Sequence, residues 1–320
     1  MRLLFVVDPL ARLDPGHDSS IALMAAAVAR HHEVLAAEMR ELSVRNGRVF
    51  AQARVPGLQP GVNGRVSGGP ATTVDLDEVD LVLVRTDPPV NDDYLRGTYL
   101  LDVAERRGTA VCNSPGALRS TNEKLFALQF PDLVPETVVS ASAEELTEAV
   151  QQWRRAVLKP TDAMGGRGVV LLEHGHPNLA ALIEIGTARG RRHVVLQRFV
   201  DDGTGSDRRI LVIDGEPVAA LRRTAKAPDF RCNMAVGASA APVPLSSVGH
   251  EICTALRPEL IARGIAFAGV DLIGNRLIEV NVTSPTGLRE IDGGAGATVG
   301  RVADEVLCRL LAHVRSGPVS

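Results

Sequence analysis

The chain has 320 residues, enough for two or three domains, and carries a formal net charge of −3 with 3% aromatic residues. This balance argues against a nucleic-acid-binding surface, which needs a basic footprint and often stacking rings. No apolar run approaches the roughly 20 residues of a membrane span, so no membrane partner is expected. The four cysteines are scattered without a CxxC pair, which indicates a reducing cytoplasm and no structural zinc.

Short apolar runs alternate with amphipathic segments through the first 120 residues. The first run ends at Asp8-Pro9 without a cleavage site, so it predicts a buried strand rather than a signal peptide. Alternating strands and helices are typical of parallel sheets, and we predict a small α/β domain over residues 1–120. The predicted strands are residues 3–7, 33–37, 81–84 and 110–112, and the predicted helix is 91–107.

Three charged residues of this region suit either a structural or a binding role. Asp8 ends the first strand, at the edge where ligands approach open α/β sheets. Asp18 precedes an apolar helical run, and its carboxylate suits an N-cap. Arg85 follows a strand, where a guanidinium can hold a substrate carboxylate, although a lone arginine also forms surface ion pairs. The Gly- and Pro-rich segment 56–73 predicts a mobile surface loop.

A second unit starts near residue 121, with a helix that Asn122 opens. Residues 161–168 form a glycine-bearing loop between two predicted strands, and glycines let backbone N–H groups approach phosphate oxygens. Lys159 ends the preceding strand and can reach the same phosphates. The pattern is not a Walker A motif, because no GK[ST] follows, and a lone GGRG also occurs in ordinary hairpins. The predicted strands are residues 136–139, 156–159, 169–172 and 193–200, and Ser142 starts a further helix.

The last unit begins with a hairpin whose Asp214-Gly215 pair marks the turn. Residues 222–241 follow without periodicity and carry four basic side chains. We therefore expect a lid over an anionic site, the alternative being a disordered surface loop. Helices are predicted over residues 247–264 and 299–314.

Residues 271–290 carry three oxygen-bearing side chains on otherwise apolar strands. Glu279 and Asn281 are two residues apart and so share one face of a strand. A two-residue turn would place Asp271 on the opposite face, whereas a three-residue connection, Gly274-Asn275-Arg276, with a bulge would pair Asp271 with Glu279. We predict the second register, because only it gathers carboxylate and amide oxygens, the ligands of hard cations such as Mg²⁺. The alternative is a hairpin whose polar face meets water.

Six segments between residues 6 and 291 together carry a family resemblance. They read VVDPLARLDPGHDSS, LVRTDPP, TNEKLFALQF, LKPTDAMGG, RRILVIDGEPV and FAGVDLIGNRLIEVNVTSPTGLREI. The sequence resembles the prokaryotic glutathione synthetases, a family of ATP-grasp ligases. The resemblance spans nearly the whole chain, and LKPTDAMGG and NVTSPTGLREI together are quite specific.

The resemblance implies an α/β and α+β fold, in which an N-terminal parallel-sheet (pre-ATP-grasp) domain precedes a two-part ATP-grasp domain. The implied parts are residues 1–120, a central subdomain 121–200 and a C-terminal subdomain 201–316 with the lid. It also implies a cytoplasmic homotetramer. The implied activity is ATP-dependent ligation of γ-glutamylcysteine to glycine through an acylphosphate, which yields glutathione, ADP and phosphate. The implied cofactors are ATP and two ions of Mg²⁺ or Mn²⁺.

Site residues follow from the resemblance position by position. Catalytic roles are implied for Arg209, Arg231 and Asn233. The implied nucleotide-binding residues are Lys124, Lys159, Gly165, Gly166, Gln197, Phe199, Val200, Asp207 and Arg209. The implied peptide-binding residues are Asp18, Ser19, Arg85, Ser284, Thr286 and Arg289. The implied metal ligands are Asp271, Glu279 and Asn281.

The lid departs from the family pattern. The family reads approximately RxPxxGDxRxNLxxGG, and residues 223–240 read RTAKAPDFRCNMAVGASA. Pro228 replaces an early glycine and Ala238 a late one, and fewer glycines make a stiffer loop. Because the lid covers the acceptor, a sister ATP-grasp ligase with another donor or acceptor stays open as an alternative. A non-catalytic nucleotide-binding regulator is the third reading, and the full set of charged site residues speaks against it.

Overall fold

The computed structural model of the protein describes residues 1–58, 66–293 and 299–316. The N-terminal region is an α/β unit. Its elements are β1 (Arg2–Val6), α1 (Ser19–Ala29), β2 (Glu33–Ala37), β3 (Leu42–Arg45), β4 (Arg48–Ala53), β5 (Pro56–Gly57), β6 (Ser67–Gly68), β7 (Thr72–Asp75), β8 (Leu81–Val84), α2 (Asp92–Arg106), β9 (Ala110–Cys112) and α3 (Pro115–Ser120). Strands β2, β1, β8 and β9 form a parallel sheet in that order, which confirms the predicted strands. The central strand β1 is apolar throughout because Leu3 and Leu4 enter cores on opposite faces of the sheet.

A second, antiparallel sheet of β3, β4 and β7 was not predicted. This sheet packs against the rest of the N-terminal region through Val49 and Ala51, which share a core with Leu101 of α2. The predicted loop over residues 56–73 contains β5, β6 and the start of β7 in its described part. Residues 59–65 of that loop lie outside the described residues.

The middle region is an antiparallel sheet with two helices on one side. Its elements are α4 (Glu123–Phe126), β10 (Thr137–Ser140), α5 (Ala143–Trp153), β11 (Arg155–Pro160), β12 (Val170–Glu173), α6 (Leu179–Gly186) and β13 (Val194–Arg198). The strand order is β10-β13-β11-β12. Ser142 caps α5 as predicted, since its hydroxyl accepts from the Glu145 amide at 3.4 Å. Leu146 and Val150 of α5 pack with Ile183 of α6 against this sheet.

The last region is a five-stranded antiparallel sheet. Its elements are β14 (Ser206–Ile213), β15 (Glu216–Thr224), β16 (Ser239–Val243), α7 (Ser247–Ala262), β17 (Phe267–Ile273), β18 (Arg276–Asn281), α8 (Leu288–Ile291) and α9 (Arg301–Ser316). The order β16-β15-β14-β17-β18 places one face against α7, where Ile210 and Val270 meet Leu256. The opposite face carries most of the charged residues discussed below.

The expected lid is shorter than predicted. Residues 222–241 were expected to lack regular structure, but β15 continues to Thr224 and β16 begins at Ser239, with Arg223 paired to Ala240. The prediction failed because the small residues of β16 give a weak strand signal. Pro242 is tolerated in this strand because β16 lies at the edge of the sheet. The connecting segment is residues 225–238, which we call the lid loop.

The closing helix α9 packs on the N-terminal region, where Val306 and Leu310 share a core with Leu23 of α1. No helix among the described residues has the length and apolarity to cross a membrane. We propose domain boundaries near residues 120 and 200, because the strands of each sheet fall on one side of these points.

Candidate active site

A cavity of about 1180 Å³ lies where the three regions meet. Binding pockets for one drug-sized ligand measure roughly 300–1,000 Å³, so this cavity has room for a nucleotide and a second molecule. Asp18 lines it from the N-terminal region, Lys159 and Gln197 from the middle region, and Arg209 and Glu279 from the last sheet.

Asp271 and Glu279 face each other across β17 and β18, which confirms the predicted pairing. The predicted loop length was wrong: Ile273 pairs with Arg276, so the turn has two residues. The extra residue of the bulge lies further from the turn, in β18, where the register shifts between Asp271 and Leu272. This bulge lets Leu277 and Val280, three residues apart, enter the same core while Glu279 turns to the cavity.

Two arginines bind the carboxylate of Asp271. Arg209 donates from Nε to Oδ1 at 2.8 Å and from Nη2 to Oδ2 at 2.7 Å, and Arg223 Nη2 lies 2.9 Å from Oδ2. Arg223 also donates to both oxygens of Asp207, at 2.7 and 2.6 Å. Burial disfavours the charged form of Asp271, but the two guanidinium charges outweigh it and hold its pKa below the usual range. Burial raises the pKa of Asp207 in spite of Arg223.

The three predicted metal ligands lie on one face of adjacent strands. Asn281 is paired with Gly269 and donates from Nδ2 to Asp271 Oδ2 at 3.3 Å. Oδ2 of Asp271 is approached by three side-chain donors, whereas Oδ1, among the described residues, accepts only from Arg209 Nε, so Oδ1 keeps acceptor capacity. Glu279 is half-buried and lines the cavity. Two carboxylates and an amide oxygen are a donor set that fits Mg²⁺ or Mn²⁺.

Two buried lysines face this group from the middle region. Lys159 Nζ donates to Gln197 Oε1 at 2.8 Å, and Lys124 Nζ donates to the Ala163 carbonyl at 2.6 Å. Burial lowers the pKa of Lys159 to about 8, with the charge of Lys124 acting in the same direction. Carboxylates including Glu279 oppose this shift.

The lid loop lies against the glycine-bearing loop. Arg231 Nη1 donates to the Gly166 carbonyl at 2.9 Å, and the same guanidinium binds Asp229. Gly166 has a φ of +77°, and a Cβ there would lie 2.6 Å from Asn233 Oδ1, so both backbone and space require glycine. Gly165, with a φ of +63°, approaches Ala235 in the same way.

Aromatic rings meet where the implied nucleotide-binding residues Phe199 and Val200 line the cavity. The ring of Phe199 lies with its centroid 6.3 Å from that of Phe230, and the Cζ atom of Arg155 lies 4.1 Å from the Phe199 centroid. Phe199 and Val200 line the cavity, as does Phe230. Phe230 was missed because an aromatic residue inside an irregular basic segment gives no sequence signal of its partner.

The predicted peptide-binding residues divide into two groups. Asp18, Ser284 and Thr286 line the cavity, and Thr286 Oγ1 accepts from Arg209 Nη1 at 3.0 Å. The cavity lining does not include Ser19, Arg85 or Arg289.

Ser19 and Arg85 hold the wall behind that lining. Ser19 Oγ accepts from the Gly287 amide at 3.1 Å, and Arg85 Nη2 donates to the Pro285 carbonyl at 2.7 Å. Asp18 caps α1 through Ser20 and Ile21, so its capping role is confirmed and a binding role stays a prediction. Asp8, for which a binding role was considered from sequence, lines the cavity, as do further acidic residues that were given no site role, among them Asp87, Glu123 and Glu290.

Comparison with known proteins agrees with this geometry. A solved D-cycloserine synthetase superposes with a TM-score of 0.66 at 16% identity, covering 97% of this chain and 100% of that chain. The ATP-grasp ligase PsnB, complexed with a minimal precursor, gives a TM-score of 0.63 at 21% identity, covering 97% of each chain. The chain therefore shares the overall fold of these two proteins.

The chain belongs to the prokaryotic glutathione synthetase family. Models of that family's N-terminal domain and ATP-grasp domain match residues 1–119 and 123–296. The glutathione synthetase of Gloeobacter violaceus is 43% identical over 320 residues, covering 98% of each chain. That of Vibrio vulnificus is 38% identical and covers 98% of this chain and 99% of its own.

Proposed function

We propose that this protein joins γ-glutamylcysteine to glycine at the expense of ATP, giving glutathione, ADP and phosphate. The observation that carries the proposal is the charge pattern of the cavity in a chain of this family. Asp271 and Glu279 stand side by side on one wall, with Arg209 beside them and Lys159 lining the same cavity. ATP and a carboxylate are both anionic, so a site that brings them together needs this density of cations and cation ligands.

The reaction has two covalent steps. A donor carboxylate oxygen attacks the γ-phosphorus of ATP, the bond from that phosphorus to the ADP oxygen breaks, and an acylphosphate forms. The amine nitrogen of glycine, having lost a proton, then attacks the acyl carbon, and phosphate leaves. Lys124 and Lys159 hold the phosphates, and Arg209 stabilises the charge on the transferring group, a contact whose loss typically costs about 10²–10³ in rate.

The proposed metal site is the face shared by Asp271, Glu279 and Asn281. Bound divalent ions supply charge neutralisation at the phosphate oxygens. We propose two ions of Mg²⁺ or Mn²⁺, as the family resemblance implies. The arginines at Asp271 keep that carboxylate ionised and fix its direction, and its oxygen Oδ1, which in the described part of the chain accepts only from Arg209 Nε, is the one proposed to bind an ion.

The lid loop is proposed to exclude water, because an acylphosphate hydrolyses in it. Its contacts with the glycine-bearing loop, through Arg231 and Asn233, support this role. We further propose a cytoplasmic homotetramer, which light scattering would test.

The direct test is ADP formation with ATP, Mg²⁺ and γ-glutamylcysteine, with and without glycine. We expect strong glycine dependence and a product with the mass of glutathione. The altered lid, with Pro228 and Ala238 at glycine positions of the family pattern, favours one second candidate, a sister ligase with another acceptor or donor. Turnover with alanine or β-alanine in place of glycine, and little with glycine, would support that candidate instead.

A further inference from the structure

The start of the short helix α4 contacts the glycine-bearing loop through two of three consecutive residues, the N-cap Asn122 and Lys124. Asn122 Nδ2 donates to the Thr161 carbonyl at 2.9 Å, and Lys124 Nζ donates to the Ala163 carbonyl at 2.6 Å. Glu123 lies between them in sequence and reaches the other way, to the end of β18.

One carboxylate oxygen of Glu123 holds the chain where β18 ends. Glu123 Oε1 accepts from the Val282 amide at 3.0 Å, the Thr283 amide at 3.1 Å and the Thr283 hydroxyl at 2.8 Å. The carbonyl of Val282 in turn accepts from Asn113 Nδ2 at 2.7 Å. One oxygen atom thus accepts three hydrogen bonds from two consecutive residues, which fixes the position of both.

Residues with proposed functions stand on both sides of that attachment. Asn281, immediately before it, shares its face with Glu279 and Asp271. Ser284, immediately after Thr283, lines the cavity and is one of the implied peptide-binding residues. A shift of the chain at residues 282–283 would therefore move a proposed metal ligand and a proposed peptide-binding residue together.

We infer that Glu123 is a positioning residue that fixes the end of β18 relative to the glycine-bearing loop. It acts through the backbone of Val282 and Thr283. The inference rests on the proposed function for the roles of Asn281 and Ser284. Partners that orient metal ligands from outside typically affect metal affinity or activity by about 10–100-fold when removed.

The test compares Glu123→Ala, Glu123→Gln and Thr283→Val. Glutamine keeps the shape and an acceptor oxygen, alanine removes the attachment, and valine removes only the Thr283 hydroxyl. The control is Asp75→Asn, which removes another buried carboxylate, one that accepts from the Asp77 amide, pairs with Arg48 and is absent from the cavity lining. The readouts are Mn²⁺ affinity in the presence of ADP, by electron paramagnetic resonance, and separate KM values for ATP and γ-glutamylcysteine.

We expect Glu123→Ala to weaken Mn²⁺ binding about tenfold or more and to raise the peptide KM more than the ATP KM. Glu123→Gln and Thr283→Val should give smaller changes in the same direction, and Asp75→Asn should lower only the melting temperature. The inference is overturned if Glu123→Ala binds Mn²⁺ within twofold of the parent. It is also overturned if glutamine is as damaging as alanine, since that result would mean the charge acts directly on the reactants. If the alanine variant does not fold, the glutamine and valine variants decide between the same outcomes.

The Mn²⁺ measurement does not depend on which carboxylate and amine are joined. If the parent protein forms no glutathione while Glu123→Ala still weakens Mn²⁺ binding, the proposed function fails and the inference stands.

Discussion

Arg209 and Asp271 are directly paired across β14 and β17, and their side chains form two parallel hydrogen bonds, at 2.8 and 2.7 Å, in the wall of the cavity. Asp271 is only 2% exposed, and Arg223 approaches its second oxygen. The aspartate thus links the geometry of the sheet to the chemistry of the site: its partners keep it charged, and its strand aligns it with Glu279.

Removing the charge of Asp271 should destabilise the protein. Asp271→Asn leaves Arg209 and Arg223 buried with one fewer carboxylate, and breaking a buried pair from one side typically costs about 3–5 kcal/mol. Urea unfolding would measure the change. Glu305→Gln removes an exposed helical pair with Arg309 and should change the unfolding free energy by less than about 0.5 kcal/mol. Equal losses in the two variants would contradict the argument.

Glu279→Gln should abolish turnover while the fold stays intact. The substitution removes a proposed metal ligand without a change of volume, and Glu279 is only half-buried, so we expect an unfolding free energy within about 1 kcal/mol of the parent. The measurement is ADP formation across a Mg²⁺ titration. Near-normal activity at limiting Mg²⁺ would remove Glu279 from the metal site.

The lowered pKa of Lys159 predicts a pH effect on nucleotide binding. In the free protein Lys159 is charged below a pKa of about 8 and neutral above it. Because phosphate prefers the charged form, affinity for ADP without metal should fall by up to about tenfold for each pH unit above 8. Calorimetric titrations between pH 6.5 and 9.5 would measure this, and Lys159→Arg, which stays charged, should flatten the profile.

The same shift predicts how stability depends on pH. Between pH 8 and the ordinary lysine value of 10.5, the unfolded chain binds more protons at Lys159 than the folded chain. The contribution of this group to stability therefore rises with pH across that window.

For the binding prediction, an ADP affinity of the parent protein that does not change with pH would show that Lys159 does not contact the phosphates.

Gly166→Ala should weaken nucleotide binding, because the glycine has a φ of +77° and its Cβ would meet Asn233 of the lid loop. Gly175→Ala is a matched control, since Gly175 has a φ of +81° but nothing within 4 Å of the added carbon. Both variants carry the backbone strain of roughly 1–2 kcal/mol, but only the first disturbs the two loops. The ADP dissociation constants of both should be compared; equal values would contradict the proposed loop contact.

The pairing of β17 with β18 could be predicted, because a metal site needs its oxygen ligands on one face of the sheet and this limits the possible strand registers. The requirement that Asp271 and Glu279 share a face selected the correct pairing. The position of the bulge could not be predicted, since a two-residue turn with a later bulge and a longer loop give the same pairing. Only the packing of Leu277 and Val280 in one core distinguishes them.

Long-range contacts account for the rest. Arg223 was assigned to an irregular lid because residues 222–241 lack periodicity and carry four basic side chains, yet its strand places it between Asp207 and Asp271. Arg85 was predicted to bind substrate, which stays a prediction, and its contact through Nη2 with the Pro285 carbonyl, 200 residues away in the chain, could not be read from sequence. Such partners become visible only when the three regions come together.

The most direct test of the proposed acylphosphate reaction uses γ-glutamylcysteine with both oxygens of its cysteine carboxylate labelled with ¹⁸O. A single reaction with ATP, Mg²⁺ and glycine, analysed by mass spectrometry, reports both the product and the path to it. We predict that one ¹⁸O atom appears in the released phosphate and the other stays in the new amide of glutathione. Unlabelled phosphate, or the absence of glutathione, would contradict the account.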